Sequence, residues 1–374
     1  MRLLSVIVSF LFISCTFGQS KQYFLFVGTY TSAKSDGIYV YKFNEESGTA
    51  TFVSKVKTDN PSYLAISNNH QFVYAVREGG GDNSSAVSAF LFNNQLGKLT
   101  FVNKQSTKSN GPCFIAVDSK QKWVFTANYK GGSLSAFPVK NDGSLDTVTQ
   151  LIQHTGSSVN KIRQQKPFVH TVVFSPDEKY LFTNDLGTDK INRYTFNAAA
   201  TTNPLSEGND SVTMSTAGNG PRHLAFSPNK KFMYVINELA GTVDVFGYGN
   251  KNLRLIQTIS TDSTNNLDKG CADIHLSPDG RFLYGTNRGK YNTIATYAVN
   301  NATGKLQLLQ VQSTGGLVPR NFTITPSGNM LLVGHQNSDY ITIFQRNMKT
   351  GLLTLTNNTI PVSSAVCLKM IEAK

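Results

Sequence analysis

The sequence predicts an all-β fold: a seven-bladed β-propeller with four-stranded antiparallel blades, in a ring closed by the N- and C-terminal strands. The first observation is a recurring phrase, clearest in FSPNKKFMYVINE from Phe226, whose second residue returns at steps of 51, 57, 52, 50 and 48 residues. A period near fifty residues, filled with strands and turns, is typical of a propeller blade. The second observation is that the two chain ends complete each other as one further blade. The six phrase positions are Ser67, Asp118, Ser175, Ser227, Ser277 and Thr325.

Each repeat contains the strands that one blade needs. In the copy around Ser227, residues 223–226 form an apolar first strand and residues 227–231 a turn, in which Pro fixes φ and Asn tolerates left-handed geometry. Residues 232–236 are rich in β-formers, and residues 242–246 alternate between apolar and polar side chains. Because one such sheet cannot bury both of its faces, neighbouring units must stack into a single core.

The chain ends decide the number of blades. Residues 23–27, 37–43 and 51–53 look like the second to fourth strands of a blade without its first strand, and residues 365–371 look like a first strand with nothing after it. Pairing them gives a seventh blade and protects both terminal edges. The alternative is six blades with the termini as a partial decoration.

The first residues predict a secretion signal rather than part of the fold. Arg2 precedes an apolar run at residues 3–13, and small or polar residues follow. The run is too short for a stable transmembrane helix, so we expect no membrane span. We assign residues 1–19 to a signal peptide and residues 20–374 to the propeller, exported to a bacterial periplasm. A lipid-anchored form through Cys15 is the alternative.

Composition limits the function classes. The net charge of +12 favours anionic ligands, but no Lys/Arg block or nucleic-acid module accompanies it, so we expect no nucleic-acid partner. Cys113, Cys271 and Cys367 are read as free, buried thiols. Since no CxxC pair or His/Cys cluster occurs, we predict neither a metal nor another cofactor. We expect a monomer.

Candidate site residues lie at two equivalent places of successive blades, one at the start of the first strand and one at the end of the second. In a propeller both places approach the mouth of the central channel. The principal candidates are His170, Arg222, Glu238 and Arg288, and candidates for substrate binding are Arg320, His335, His223, Asn237 and Glu78. Asn237 also suits a turn residue and His223 a core histidine. Arginines in a channel require anionic partners, and one glutamate does not neutralise several of them, so a small anionic ligand is expected.

Four segments resemble the seven-bladed lactonase family: FVGTYT at 26–31, GNGPRHLAFSP at 218–228, NE at 237–238 and TNRG at 286–289. The similarity extends over residues 23–371. The family includes bacterial 6-phosphogluconolactonases of propeller type and fungal carboxy-cis,cis-muconate lactonizing enzymes. In the latter a His, two Arg and a Glu line the active site, and the resemblance places them at His170, Arg222, Glu238 and Arg288. The approach to the histidine departs from the family pattern, which leaves the substrate open.

The resemblance implies hydrolysis of a sugar-acid lactone, 6-phosphogluconolactonase-like and part of carbohydrate metabolism. Lactone hydrolysis needs a general base and donors for an oxyanion, which His170 or Glu238 and the arginines can supply. Export argues for a lactone without phosphate, because phosphorylated sugars are normally cytoplasmic. Two alternatives stay open: a muconate-type cycloisomerase, and a non-catalytic propeller that binds a ligand or protein.

Overall fold

The computed structural model describes residues 21–32, 34–79, 85–249, 253–262 and 269–373. The predicted signal segment, including Cys15, lies outside the described residues. Within the described ranges the structure contains 28 β-strands, which form seven four-stranded antiparallel sheets. The predicted all-β, seven-bladed architecture is therefore confirmed.

The strands succeed one another blade by blade along the chain. Blade 1 contains β1 (Gln22–Thr29), β2 (Gly37–Asn44) and β3 (Thr49–Lys57), and its first strand is the C-terminal β28 (Ala365–Glu372). Blades 2 and 3 are β4 (Leu64–Ile66), β5 (Phe72–Arg77), β6 (Ala86–Asn93) and β7 (Lys98–Ser106), then β8 (Pro112–Val117), β9 (Trp123–Asn128), β10 (Ser133–Pro138) and β11 (Gln150–Gln153). Blades 4 and 5 are β12 (Val169–Phe174), β13 (Tyr180–Asp185), β14 (Lys190–Phe196) and β15 (Leu205–Met214), then β16 (Pro221–Phe226), β17 (Phe232–Asn237), β18 (Thr242–Tyr248) and β19 (Leu253–Ser260). Blades 6 and 7 are β20 (Cys271–Leu276), β21 (Phe282–Asn287), β22 (Thr293–Val299) and β23 (Leu306–Ser313), then β24 (Pro319–Ile324), β25 (Met330–His335), β26 (Tyr340–Arg346) and β27 (Leu353–Pro361).

The ring closes through blade 1, as the chain ends predicted. Strand β28 pairs antiparallel with β1, so that Phe24 faces Ile371 and Val27 faces Leu368. The first strands β28, β4, β8, β12, β16, β20 and β24 contact one another around the centre and therefore line the channel. The alternative with six blades is wrong, because the terminal strands belong to one complete sheet.

The recurring phrase is explained by the turn between the first and second strands. The Ser227 hydroxyl accepts a hydrogen bond from Phe232 N at 2.9 Å and donates one to Asn229 Oδ1 at 2.7 Å. Lys230 in the same turn takes a positive φ of 60°. The other five phrases bind the equivalent backbone N–H through Ser, Thr or Asp side chains. A side chain able to close this turn is therefore what the repeat preserves.

Neighbouring blades are locked together by tyrosines of the second strands. The buried hydroxyls of Tyr74, Tyr234 and Tyr284 donate to Gly143 O, Gly304 O and Gly351 O, at 3.1, 3.1 and 2.7 Å. Each glycine has a positive φ and lies against a phenylalanine ring, so that an added Cβ would collide with the ring. The blades consequently pack as one core.

Two smaller expectations can be compared with the structure. Cys113, Cys271 and Cys367 are free and buried, as predicted. None of the regular elements in the described ranges is an apolar helix of membrane-spanning length.

Candidate functional site

A β-bulge near the start of the first strand recurs around the channel. In β8, β12, β16 and β24 the register shifts by one residue, and the extra residues are Cys113, His170, Arg222 and Arg320. Strands β20 and β28 carry the same irregularity. A bulge releases one residue from the ladder and re-aims its side chain, which is why bulges are frequent next to active sites. The bulge at the predicted first position therefore directs these side chains toward the channel.

The second position is the residue that follows the second strand. Backbone N–H groups of Glu78, Tyr129, Glu238 and Arg288 each donate to a carbonyl just before the first strand of their own blade, at 3.1, 2.8, 2.8 and 3.0 Å. This repeated hydrogen bond holds four different side chains at equivalent places at the channel mouth. All four line one cavity.

The cavity has a volume of about 140 Å³ and brings together residues from both positions. It joins blades 2 to 7 and is the point where five of the predicted site residues meet. Its lining residues are Glu78, Cys113, Tyr129, Arg163, His170, Glu238, Arg288 and Arg320.

Three guanidinium groups surround the carboxylate of Glu238. Oε1 lies 2.6 Å from Arg163 Nη2, and Oε2 lies 3.2 Å from Arg222 Nε and 2.9 Å from Arg288 Nη2. Burial alone would raise the pKa of Glu238, but the positive charges of Arg288, Arg222 and Arg163 prevail and lower it to about 2. Glu238 is thus ionised at neutral pH although it is buried.

A second ion pair occupies the other side of the cavity. Arg320 Nη2 lies 3.6 Å from Glu78 Oε2, and the guanidinium stands 5.2 Å from the centre of the Tyr30 ring. The Tyr30 hydroxyl donates to the same Glu78 oxygen at 2.9 Å. Arg320 is therefore held in place by one carboxylate and one aromatic face.

His170 lies between these charged groups. Its Nδ1 is 3.7 Å from the thiol sulphur of Cys113, and its ring packs at 5.2 Å from both Tyr129 and His223. Burial, followed by the nearby Arg222, lowers the pKa of His170 well below its usual value near 6.5. The imidazole is therefore neutral at pH 7 and can accept a proton. Among the described residues, no hydrogen bond engages its Nε2.

The floor of the site is built around Asp273, which the sequence reasoning missed. Its carboxylate accepts hydrogen bonds from His223 Nδ1 at 2.7 Å, His275 Nε2 at 2.8 Å and Phe322 N at 3.2 Å, and another from Asn321 Nδ2. These partners come from blades 5, 6 and 7, so one buried carboxylate ties three first strands together.

Arg222 is connected to this floor. Its Nη1 donates to Ala272 O and lies 3.2 Å from His223 Nε2. Burial lowers the pKa of His223 to about 3, so the ring is neutral and accepts from Arg222 while Nδ1 donates to Asp273. Arg222 is not part of the cavity lining and contacts Glu238 from outside it.

The remaining predicted residues lie away from the cavity lining. Asn237 is fully buried and donates to Thr242 Oγ1 at 3.0 Å and Asp244 Oδ2 at 2.9 Å within its own blade. These are the contacts expected of a turn residue, the role that the sequence also suggested for Asn237. His335 is also fully buried, with Nδ1 3.4 Å from Tyr340 O, and burial lowers its pKa to about 4. His223 forms part of the floor.

The site carries an excess of positive charge. Four arginines, Arg163, Arg222, Arg288 and Arg320, meet two glutamates, Glu78 and Glu238, at ion-pair distances. With the buried carboxylate of Asp273 in the floor also counted, four guanidiniums meet three carboxylates, so an excess of positive charge is left for a ligand, as expected for an anionic substrate. In the part of the chain that the structure describes, no group of three or more His, Cys, Asp or Glu residues has an arrangement suited to a metal ion.

Comparisons with known proteins give independent information. Residues 24–370 match the family model described as lactonase, 7-bladed beta-propeller. A 6-phosphogluconolactonase of Formosa agariphila is 36% identical over 92% of this chain and 99% of its own length, and one of Bacillus subtilis is 34% identical over 94% and 99%. The solved structure of the Pseudomonas aeruginosa periplasmic gluconolactonase PpgL superposes with a TM-score of 0.89 at 33% identity, covering 94% of this chain and 100% of that one.

Proposed function

The chain belongs to the seven-bladed β-propeller lactonase family, and we propose that it hydrolyses the lactone of an anionic sugar acid, as a 6-phosphogluconolactonase-like enzyme. The resemblance drawn from the sequence motifs is thereby confirmed at the level of the family. The single observation that carries the proposal is the meeting of His170, Glu238 and Arg288 in one cavity with surplus positive charge.

Substrate binding is assigned to the arginines that line the cavity. Arg288 and Arg320 bind the anionic part of the sugar, because guanidinium groups form charge-assisted hydrogen bonds with phosphate and carboxylate oxygens. Arg288 also stabilises the oxyanion that develops on the lactone carbonyl. To Arg222, a principal candidate from the sequence, we assign the role of a positioning residue, because it contacts Glu238 from outside the cavity lining and helps to keep this carboxylate ionised.

The chemistry is assigned to His170 and Glu238. His170 takes a proton from a water molecule as the water oxygen forms its bond to the lactone carbonyl carbon, and Glu238 orients that water. The tetrahedral intermediate then collapses, the ring C–O bond breaks, and the imidazolium returns the proton to the leaving alkoxide. The net reaction is lactone plus water to hydroxy acid, and it needs only these side chains.

The electrostatics of the free site favour activation by the substrate. Burial, followed by the arginines, lowers the pKa of His170, and the arginines lower the pKa of Glu238, which makes each a weak base before binding. An anionic substrate adds negative charge beside the same arginines and raises both pKa values toward neutrality. Base strength is therefore greatest when the substrate is present.

Export is a further part of the proposal. The signal-like residues 1–19 support secretion, and the similarity to a periplasmic gluconolactonase agrees with it. A periplasmic location favours an unphosphorylated aldonolactone, which is uncharged, whereas the arginines of the cavity and the names of the relatives favour a phosphorylated one. Both belong to the same reaction class.

The test is a hydrolysis assay in a pH-stat with 6-phosphogluconolactone, glucono-δ-lactone and carboxymuconate. We expect hydrolysis of at least one lactone, and a decrease of about 100-fold or more in kcat for His170→Asn and Glu238→Gln, as for the loss of an acid or base. The matched control is His70→Asn, since His70 lies in the β4–β5 turn with a φ of 59°, which asparagine tolerates. Conversion of carboxymuconate alone would identify a cycloisomerase, and ligand binding without turnover would identify a binding protein.

Ligand charge is tested with the product. Arg288→Ala should weaken the binding of 6-phosphogluconate by about ten- to a hundredfold, because a charge-assisted hydrogen bond contributes about 1.5–3 kcal/mol. Arg281→Ala serves as the control, since Arg281 pairs with Asp279 in the β20–β21 turn. Unchanged affinity in the Arg288 variant, measured by calorimetry, would contradict the assignment.

A further inference from the structure

Arg163 is the member of the site that the blade repeat does not supply. It lies in the connection between β11 and β12, which joins blades 3 and 4. Its side chain is 43% exposed, against 1% for Arg222, 18% for Arg288 and 12% for Arg320. Arg163 is therefore the guanidinium of the cavity that solvent, and an arriving ligand, reaches most easily.

The backbone that carries Arg163 is fixed. Asn160 Oδ1 accepts hydrogen bonds from the N–H groups of Ile162 and Arg163 at 3.1 and 3.0 Å. The next residue, Gln164, is fully buried and donates to Leu186 O at 2.9 Å, while its Oε1 accepts from Asn160 N at 3.1 Å. These hydrogen bonds fix the loop backbone, and the Arg163 side chain extends from it to the cavity mouth.

The side chain itself has few attachments. Arg163 Nη2 contacts Glu238 Oε1 at 2.6 Å and the Tyr129 hydroxyl at 3.5 Å. By contrast, Arg288 is fastened to Gly270 O at 2.9 Å and Cys271 O at 3.3 Å besides Glu238. Of the guanidiniums on Glu238, that of Arg163 can be withdrawn with the fewest broken contacts.

The two oxygens of Glu238 are engaged differently. Oε2 is shared by two arginines: Arg222, which lies outside the cavity lining, and Arg288, which belongs to it. Oε1 is engaged by Arg163 alone among the described residues. Arg163 therefore takes one of the two acceptor positions of the oxygen that Arg222 and Arg288 leave uncovered, and competes there with a water molecule.

From this arrangement we propose that Arg163 is a specificity-determining residue that competes with water for Glu238 Oε1 and leaves this oxygen for the anionic group of the substrate. A dianionic phosphate attracts the exposed guanidinium more strongly than one carboxylate already shared by three arginines. Once Arg163 has moved, Glu238 remains ionised through Arg222 and Arg288, and its Oε1 accepts the attacking water. The inference rests on the proposed function and adds that the charge of the substrate switches on the water-orienting carboxylate.

The test compares kcat and KM for 6-phosphogluconolactone and glucono-δ-lactone in the parent protein, Arg163→Gln and Arg163→Lys. In Arg163→Gln we expect the ratio of the two kcat/KM values to fall by about ten- to a hundredfold, the effect of one lost charge-assisted hydrogen bond. The kcat for glucono-δ-lactone should rise, because Arg163 no longer competes with water for Oε1. Arg163→Lys should retain most of the preference, and Lys161→Gln, which removes an exposed positive charge from the same loop, should leave both substrates unchanged.

A second measurement uses inorganic phosphate as a separate anion. Added to the parent protein with glucono-δ-lactone, and corrected by enzyme-free blanks, phosphate should increase kcat, and Arg163→Gln should abolish that increase. Equal losses for both lactones in Arg163→Gln would show a merely structural role and overturn the inference, as would an unchanged ratio. If the parent protein hydrolyses neither lactone, the proposed function itself fails, so the two failures are distinguishable.

Discussion

Glu238→Gln should destabilise the protein as well as inactivate it, and the size of the effect can be worked out from the site. The substitution keeps the shape of the side chain but leaves the guanidiniums of Arg163, Arg222 and Arg288 without their shared negative charge. Arg222 is the decisive one, because it is only 1% exposed and cannot turn to water. Breaking a buried ion pair from one side costs about 3–5 kcal/mol.

The pKa of Glu238 gives a second route to the same magnitude. A carboxyl whose pKa falls from its usual 4.5 to about 2 on folding contributes about 3 kcal/mol at pH 7. Since the pKa is depressed in the folded protein, this contribution is present above the unfolded value and is lost as the pH falls from about 4.5 toward 2. At pH 3 roughly half of it remains.

Urea unfolding at pH 7 and at pH 3 measures both quantities. We expect the Glu238→Gln variant to lose about 3 kcal/mol of unfolding free energy at pH 7 and roughly half as much at pH 3. Glu46→Gln, an exposed glutamate in the β2–β3 turn, should stay within about 0.5 kcal/mol of the parent at both pH values. A loss below about 1 kcal/mol at pH 7, or a loss that does not change with pH, would refute the view that Glu238 is the shared anion of three arginines.

Two further predictions concern ring closure and the base. Deletion of residues 365–374 removes all of β28 from blade 1, so thermal unfolding should occur at a clearly lower temperature than in the intact chain, and equal melting would contradict closure by the terminal strands. With glucono-δ-lactone, kcat/KM should stay level from pH 7 to below pH 6, because the pKa of His170 is lowered and the imidazole remains neutral there. An acid limb at or above pH 6.5 in that profile would exclude His170 as the group that titrates.

The fold could be predicted almost completely from the sequence, because each blade repeats the same local solution. A hydroxyl or carboxylate closes the turn at residues such as Ser227 and Asp118, and apolar strands flank it. The pairing of Phe24 with Ile371 followed from two incomplete sets of strands at the chain ends. Periodic information of this kind is read directly from residue types.

The site was predictable only where it follows the repeat. His170, Arg320 and Cys113 lie at the bulged position, and Glu238 and Arg288 follow a second strand, so aligning the blades brings them to one mouth. Arg163 has no counterpart in other blades, because it belongs to a connecting loop.

Asp273 was missed for a different reason. It stands next to the bulge of β20, one place after the position compared between blades, where Tyr63, Phe114 and His223 stand in other blades. A row of aromatic, imidazole and carboxylate side chains at that place is the signal that would have indicated a polar floor.

The division between repeat and loop has a consequence for how specificity can change in this fold. His170, Glu238 and Arg288 are each held by backbone hydrogen bonds or bulges that the blade itself requires, so their geometry is constrained by stability. Arg163 is attached through one loop, and the surrounding ring does not depend on its side chain. A change of substrate charge therefore needs a change in the loop between β11 and β12 and none in the catalytic ring. For this reason exchanging residues 161–163 for a segment without arginine, with Asn160 and the buried Gln164 kept, should move the preference from phosphorylated to neutral lactones while the melting temperature stays near that of the parent. A loss of activity on both substrates in a folded variant would contradict this separation.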